Sequence, residues 1–445
     1  MDSLNVIIYI LILIMIFFFS LVLRKKTKGS CFNGLLFGMF LYYILVPIIS
    51  LINIGRIEKY ENGLGFFNVD TIDRLMINIP MSSYFYSFLV ILISFICYIF
   101  FYNISKKNNT KLTRNKTSVN FVKYLMYFLM ILGSVSLIIF FYKFGGIKSA
   151  LSYAEYMRSF SNNASEGMGR FRILIIPARF ITVVPFLLLY LKNEKCISNK
   201  KHLFLFIFSF ILSILFYLYN AGRAPLISFI LCFAYPIVKK KIKHTWLFLI
   251  VLGFISIPLL DILDSLFVYL NTGVFNLPKI VLEKYIFEFL YPFKNILNLL
   301  KMRNVFGYSY FKSFITSIIS LIPGINFTAS YENTSLFVNG VNWKIIGGIP
   351  NDLITFSHIQ LGIIGIIIIF SVLGYISQKI DYRVKNIENN NIKYLFSGIL
   401  TVYSFLLVGN ADFVSFIRGN MILYITVFTI FLMFRKEKNK WKFYF

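Results

Sequence analysis

Seven polar side chains stand out because of where they fall in an otherwise apolar chain. Arg223 lies in "LYNAGRAPLISF" (218–229), between apolar runs at 203–219 and 225–238. Pro225 suits the first turn of a helix, and Gly222 permits close backbone approach. A guanidinium at a helix N-terminus, where free N–H groups point outward, is a ready anion site. The plainer reading is an interfacial arginine in a tight turn. Arg172 and Arg179 lie seven apart in "RFRILIIPARFITVVPF" and so share nearly one helix face. Two turns inside an apolar span, Arg179 costs about 3 kcal/mol on insertion scales unless it lines a wet cavity or meets an anion. Snorkelling to the interface is the alternative for both. Asp412 and Arg418 lie six apart in "GNADFVSFIRGN" (409–420), where they either pair with each other or face a substrate, with Asp412 as an orienting or base group. In "WKIIGGIPNDLITFSHIQLGIIG" (343–365), Gly347, Gly348 and Pro350 form a breaker cluster. Asn351 or Asp352 is placed to cap the next helix. His358 follows a turn or two later; it is either a satisfied structural histidine or a general base suited to neutral pH. Arginine forks match phosphate oxygens, so the combination points to a bound pyrophosphate and a proton acceptor.

The elements that must position these groups are membrane helices. A soluble domain is roughly half apolar with about a quarter of its residues charged; this chain of 445 residues is 58% hydrophobic and 14% charged. Apolar runs near the length of a bilayer span recur from end to end. They predict spans at 5–23, 34–54, 84–102, 121–142, 173–191, 203–219, 225–238, 246–263, 359–377, 394–409 and 417–434. The expected fold is an all-α, polytopic transmembrane bundle of about 11 spans, one integral membrane domain over 1–445.

Charge alternation tests that layout. The segments 24–28, 106–116, 192–201, 239–243, 379–393 and 435–442 hold 26 Lys and Arg but only four acidic residues, Glu194, Asp381, Glu388 and Glu437. They fall on every second connection, as the positive-inside rule requires of cytoplasmic loops. The N-terminus is then expected outside and the C-terminus inside, in a bacterial cytoplasmic membrane. All seven singled-out residues fall at the outer side. The largest outer connection, 264–358, is not uniformly polar. "KIVLEKYIFEFLYPFKNILNLLKM" (279–302) puts Leu282, Ile286, Phe289, Phe293, Ile296/Leu297 and Leu300 on one face, an amphipathic helix expected to lie on the membrane surface. "FKSFITSIISLIP" (311–323) repeats the pattern.

Several function classes drop out. The net charge of +27 sits in short inter-span clusters, which suit anionic lipid headgroups and not nucleic acid. Cys31, Cys97, Cys196 and Cys232 show no C-x-x-C spacing, so neither a zinc site nor a disulfide framework is suggested. "MDSLNVIIYI" lacks a basic n-region, which reads as a retained helix and not a cleaved signal. There is no P-loop, no Rossmann glycine pattern and no H-E-x-x-H. The expected reaction is metal-independent, with no cofactor.

Three stretches resemble the Wzy-type repeat-unit polymerases of O-antigen and capsular polysaccharide. "NAGRAPL" (220–226) is similar to that family's Gly-Arg-small segment at the outer start of a helix. "GGIPNDLITFSHIQLGIIGIII" (347–368) is similar to the end of its large loop, and "ADFVSFIRGN" (411–420) to its Asp…Arg segment before the last helix. The resemblance covers the whole chain in layout and about fifty residues in motif. It implies a GT-C-like membrane glycosyltransferase. The donor is a glycan on undecaprenyl pyrophosphate and the acceptor a second lipid-linked repeat unit, with a flippase and a chain-length regulator as partners. Arg223 and Arg418 would then contact pyrophosphate or glycan, with Asp412 in the same segment, and His358 or Asp352 would be the base that takes the acceptor hydroxyl proton; no family motif fixes a histidine at 358. An O-antigen ligase shares this architecture. A lipid-linked oligosaccharide flippase would also need basic residues in a cavity, but such carriers usually have two similar halves.

Overall fold

The computed structural model describes residues 3–24, 29–53, 80–107, 112–114, 118–151, 174–219, 223–241, parts of 258–275, 282–312, 315, 351–411 and 420–436. The helices are α1 (Ser3–Arg24), α2 (Ser30–Ile52), α3 (Met81–Lys107), α4 (Ser118–Lys143), α5 (Ile175–Asn193), α6 (Asn199–Tyr219), α7 (Arg223–Lys241), α8 (Leu282–Leu297), α9 (Leu299–Phe306), α10 (Leu353–Leu361), α11 (Ile363–Lys385), α12 (Asn390–Gly409) and α13 (Met421–Met433). Among the described residues, seven helices are long and apolar enough to cross a membrane: α2, α3, α4, α5, α6, α11 and α12. Shorter apolar helices lie within α1, α7 and α13. The predicted span 246–263 lies mostly outside the described residues. The molecule is a helical, multi-pass membrane protein.

The connections sort to two ends. Residues 112–114 (β1, Leu112–Arg114) pair antiparallel with 434–436 (β2, Phe434–Lys436), Leu112 opposite Lys436. Asn389 and Asn391 reach Asn193, with side-chain amides 3.4 and 3.3 Å from its oxygens. Lys379 Nζ lies 3.5 Å from the Ser105 carbonyl. Asp381 accepts hydrogen bonds from the Cys31 and Phe32 N–H groups (2.8 and 3.1 Å) and from the Tyr102 hydroxyl (3.0 Å). The edges of five of the six basic segments therefore meet at one end of the helices. The charge alternation read from sequence corresponds to a physical grouping.

Asp381 explains why α2 begins where it does. The first N–H groups of a helix have no intrahelical partner, and a carboxylate there also answers the helix dipole. No local residue supplies it: Gly29 precedes the helix without a side-chain cap. The cap comes instead from a carboxylate 350 residues further on.

Close helix crossings do the rest. α11 packs on α3, and α2 on α12. A Cβ at Gly374 would sit 2.4 Å from the Tyr98 carbonyl, and one at Gly34 2.2 Å from the Thr401 carbonyl. In lipid, where apolar burial gives no net drive between helices, such small residues let backbones approach. The buried residues form two main clusters. One joins α4, α5, α6, α7, α12 and α13. The other joins α1, α2, α3, α8, α10 and part of α11.

Two expectations need correction. Over its described part, the stretch 279–302 is not one helix but two, broken between Leu297 and Leu299. Residues 282–297 form α8, which contacts α2 and α3, with the Phe293 ring tilted against Tyr9 at 6.0 Å. The apolar face is as expected, but Lys294, Asn295 and Asn298 are buried too, so the last turns are enclosed on nearly every side. The second correction concerns His358, which does not open a span. It lies in a separate short helix, α10, that stops at Gly362 (φ +64°) before α11 begins. Residues 313–314 and 316–350, with most of the second amphipathic stretch, lie outside the described residues.

We expect Gly374→Val to disrupt the α3–α11 crossing, because the obstacle is backbone and cannot rotate away. Size-exclusion of detergent extracts should show a large loss of monodisperse protein. A wild-type profile would contradict the close crossing.

Candidate active site

At the end opposite the basic segments, α10 is fixed by its first residue. Asp352 is the N-cap: its Oδ1 accepts from the Ile354 and Thr355 N–H groups (3.0 and 3.1 Å) and from the Tyr43 hydroxyl (2.9 Å). Oδ2 is buried, with the Thr355 hydroxyl near it. Burial pushes the carboxyl up to about 6, opposed by those hydrogen bonds. The cap that the sequence allowed at this position is present. Its partner Tyr43, on the π-helical turn of α2 (Leu41–Leu45), was not foreseen.

The same region ties two of the quoted segments together. The Ala411 N–H donates to the Asn351 carbonyl at 2.8 Å. Tyr43 also reaches the Val408 carbonyl at 3.4 Å, and the Tyr291 hydroxyl of α8 donates to the Gly409 carbonyl. Residues 351–352 and 408–411 thus share one buried junction, some sixty residues apart in sequence. Asp412, which follows Ala411 directly, lies outside the described residues, as do Arg418 and Arg172.

One and a half turns beyond the cap, His358 is 1% exposed. Its Nε2 lies 2.7 Å from the Tyr86 hydroxyl of α3, and the two rings meet edge to face at 5.6 Å. The Tyr308 ring stands 6.3 Å away on another side, and the Arg303 guanidinium lies 5.2 Å over that ring's centroid. Leu299, Met302, Arg303, Gly307, Tyr308, His358 and Ile359 line one cleft. Burial, and secondarily the Arg303 charge, push the imidazole down to about 4. His358 is therefore neutral at physiological pH, the state in which it accepts a proton.

A strap holds Tyr308 in place. Ser309 and Tyr310 N–H groups donate to the Ile359 and Gln360 carbonyls (2.8 and 3.0 Å), and Phe311 N–H to Gln360 Oε1 (2.9 Å). Tyr310 (φ +46°) and Phe311 (φ +60°) are left-handed, a conformation that costs a non-glycine residue about 1 kcal/mol or more. The three hydrogen bonds to the end of α10 offset it. Gly362 lets the strap lie close, since a Cβ there would meet the Tyr308 hydroxyl at 2.8 Å.

The other arginines approach the same end by a different route. α6 starts beside the basic segments and rises about 31 Å over its 21 residues, so Tyr219 and the start of α7 lie at the far end. That helix begins at Arg223, as the Gly-Arg-x-Pro order predicts; the Arg223 side chain is outside the described set. Arg179 is half-buried at the head of a 3₁₀ turn (Arg179–Val183) inside α5. Its guanidinium lies 5.7 Å over the Phe216 ring, in the last turn of α6. Its neighbour Phe216 belongs to the α4–α7 packing cluster, whereas Tyr43, Leu353 and Tyr86 belong to or pack on the other.

Arg303, Tyr86 and Tyr308 were missed by sequence reasoning. Tyr86 is one of 29 tyrosines and carries no local signal. Arg303 does have one: in "KMRNVFGYSY" it directly follows the amphipathic stretch and precedes a glycine break, where a helix end is expected. Among the described residues no three His, Cys, Asp or Glu side chains are placed to share a metal ion. In comparisons with protein-family models, curated proteins and solved structures, nothing matches this chain.

Tyr43→Phe removes one of the donors to a buried carboxylate, a loss of about 2 kcal/mol. We expect a lower melting temperature in detergent for that variant. An unchanged melting curve would mean that the junction does not depend on the Tyr43 hydroxyl.

Proposed function

We propose that this protein is a GT-C-like membrane glycosyltransferase of about eleven spans. In this reading it polymerises oligosaccharide repeat units carried on undecaprenyl pyrophosphate, at the outer face of a bacterial cytoplasmic membrane. The observation that carries the reading is the Asn351–Ala411 junction. It joins two of the three segments that resemble repeat-unit polymerases, at the end away from the basic loops, one short helix from a neutral histidine. The outer side is assigned by the positive-inside rule, since nucleotide sugars are cytoplasmic and an outer-face enzyme needs a lipid-borne donor.

His358 is the proposed base. It takes the proton of the acceptor hydroxyl as that oxygen attacks the anomeric carbon of the donor glycan and the bond to pyrophosphate breaks. Arg223, Arg418, Arg179 and Arg172 are the proposed contacts to pyrophosphate or glycan; a guanidinium at the pyrophosphate stabilises charge as it develops on the leaving group. Asp412 is proposed to orient Arg418 or the acceptor. Asp352 was a candidate base on sequence grounds. Its saturated Oδ1 and full burial favour a positioning role, in which it sets the direction of α10 and hence of His358.

Deleting the gene in its host and running surface polysaccharide on a gel separates the readings. Loss of the ladder with single repeat units still displayed is expected of the polymerase. Loss of all display, with units trapped inside, would indicate a flippase; a ladder kept on its carrier without transfer would indicate a ligase. Complementation with Arg223→Ala should restore membrane insertion but not long-chain glycan, and normal polymer length would remove Arg223 from the site.

The depressed His358 value has a consequence for pH. A base must be unprotonated, so the polymerisation rate should hold steady from pH 8 down to about 5 and fall as His358 protonates near 4. The groups facing His358 are Tyr86 on α3, Tyr308 on the strap and Arg303 on α9. A rate that already halves between pH 7 and 6 would contradict a depressed histidine as base.

A further inference from the structure

We propose that Arg303 is the group that holds a diphosphate at the His358 cleft, so that the leaving group of a polyprenyl-diphosphate donor sits there and not beside Arg179. The proposal rests on the glycosyltransferase reading for its chemistry, but its anion site stands on geometry alone. Arg303 is exposed at the end of α9 and lines the cleft with His358. Its guanidinium carbon stands 5.2 Å over the Tyr308 ring centroid. A guanidinium held over a ring keeps N–H donors for other partners, the fork that matches two phosphate oxygens. Among the described residues that line the cleft none is acidic. The strap fixes Tyr308 through hydrogen bonds to the end of α10, the helix that carries His358. Cation and base therefore sit on two helices that the strap joins.

The other ring nitrogen supplies the second half of the geometry. Nε2 is engaged by Tyr86. Nδ1 is the ring nitrogen that Tyr86 does not take, and His358 lines the same cleft as Arg303. When Tyr86 accepts from Nε2–H, Nδ1 carries the basic lone pair. The step then balances. The acceptor O–C1 bond forms, the C1–O bond to the diphosphate breaks, the hydroxyl proton goes to Nδ1, and the electron pair leaves with the polyprenyl diphosphate beside Arg303.

The test uses the full-length protein in lipid nanodiscs. Binding of undecaprenyl diphosphate, inorganic pyrophosphate and phosphatidylglycerol is measured for wild type, Arg303→Ala, Arg303→Lys and Arg179→Ala. We expect Arg303→Ala to weaken undecaprenyl diphosphate at least tenfold, with partial recovery in Arg303→Lys, weaker pyrophosphate competition and no change for phosphatidylglycerol. Arg179→Ala should have a smaller effect on the diphosphate. Unchanged diphosphate affinity in Arg303→Ala would overturn the proposal. So would equal weakening of phosphatidylglycerol, which would make Arg303 a headgroup anchor. Because Arg303 is exposed, both variants should keep the wild-type melting temperature; a folded Arg303→Lys that binds as tightly as the wild type would count against a bidentate fork. Diphosphate binding that depends on Arg303 in a protein that forms no polymer would leave this site standing and overturn the polymerase reading.

Discussion

Inside a membrane protein, a buried helix N-terminus has no water to satisfy its free N–H groups, and each one left unpaired costs several kcal/mol. This chain meets that constraint twice with one device. At the basic end Asp381 accepts from the Cys31 and Phe32 N–H groups and from the Tyr102 hydroxyl. At the other end Asp352 accepts from the Ile354 and Thr355 N–H groups and from the Tyr43 hydroxyl. In each case a carboxylate closes a helix start and a tyrosine from another helix supplies a further proton. The first cap fixes where α2 enters the bundle. The second fixes α10, and through it the position of His358.

The consequences run outward from the second cap. α10 is only nine residues long, too short to be stable by itself. Its direction is set by Asp352 at one end and by the 307–311 strap at the other. The strap accepts left-handed backbone at Tyr310 and Phe311 because the end of α10 provides its hydrogen bonds. Those bonds place Tyr308 beside His358 and give Arg303 a ring to rest on. Enclosing α8 against α2 and α3 completes the arrangement, since Tyr291 of α8 bonds to Gly409 where α12 ends.

What the sequence makes legible follows from how local the signal is. Helices such as α4 and α6 carry one long apolar run each and are read directly. Charge clusters at 106–116 and 435–442 predict a shared side, and the β1–β2 ladder joins their edges. The start of α7 at Arg223 and the cap at Asp352 are readable because Gly-x-x-Pro and Asn-Asp are punctuation within a few residues. The Tyr43–Asp352 and Tyr86–His358 contacts are not readable, because each joins residues about 270 or more positions apart and tyrosine is common in this chain. The burial of α8 is hidden for a related reason: an amphipathic pattern says that one face is apolar, not whether lipid or protein covers the other. Gly362 was visible as a glycine in "QLGII", but its break between α10 and α11 depends on Tyr308 arriving from elsewhere.

The central claim is that glycosidic bonds form at this end of the bundle with loss of a polyprenyl diphosphate. The most direct measurement takes the purified protein in nanodiscs with a lipid-linked repeat unit as the only substrate. We expect a ladder of polymer, with one undecaprenyl pyrophosphate released for each new linkage, and neither product when His358→Gln replaces the wild type at the same folded concentration. Polymer formed at the wild-type rate by His358→Gln, or no release of undecaprenyl pyrophosphate from the wild type, would contradict it.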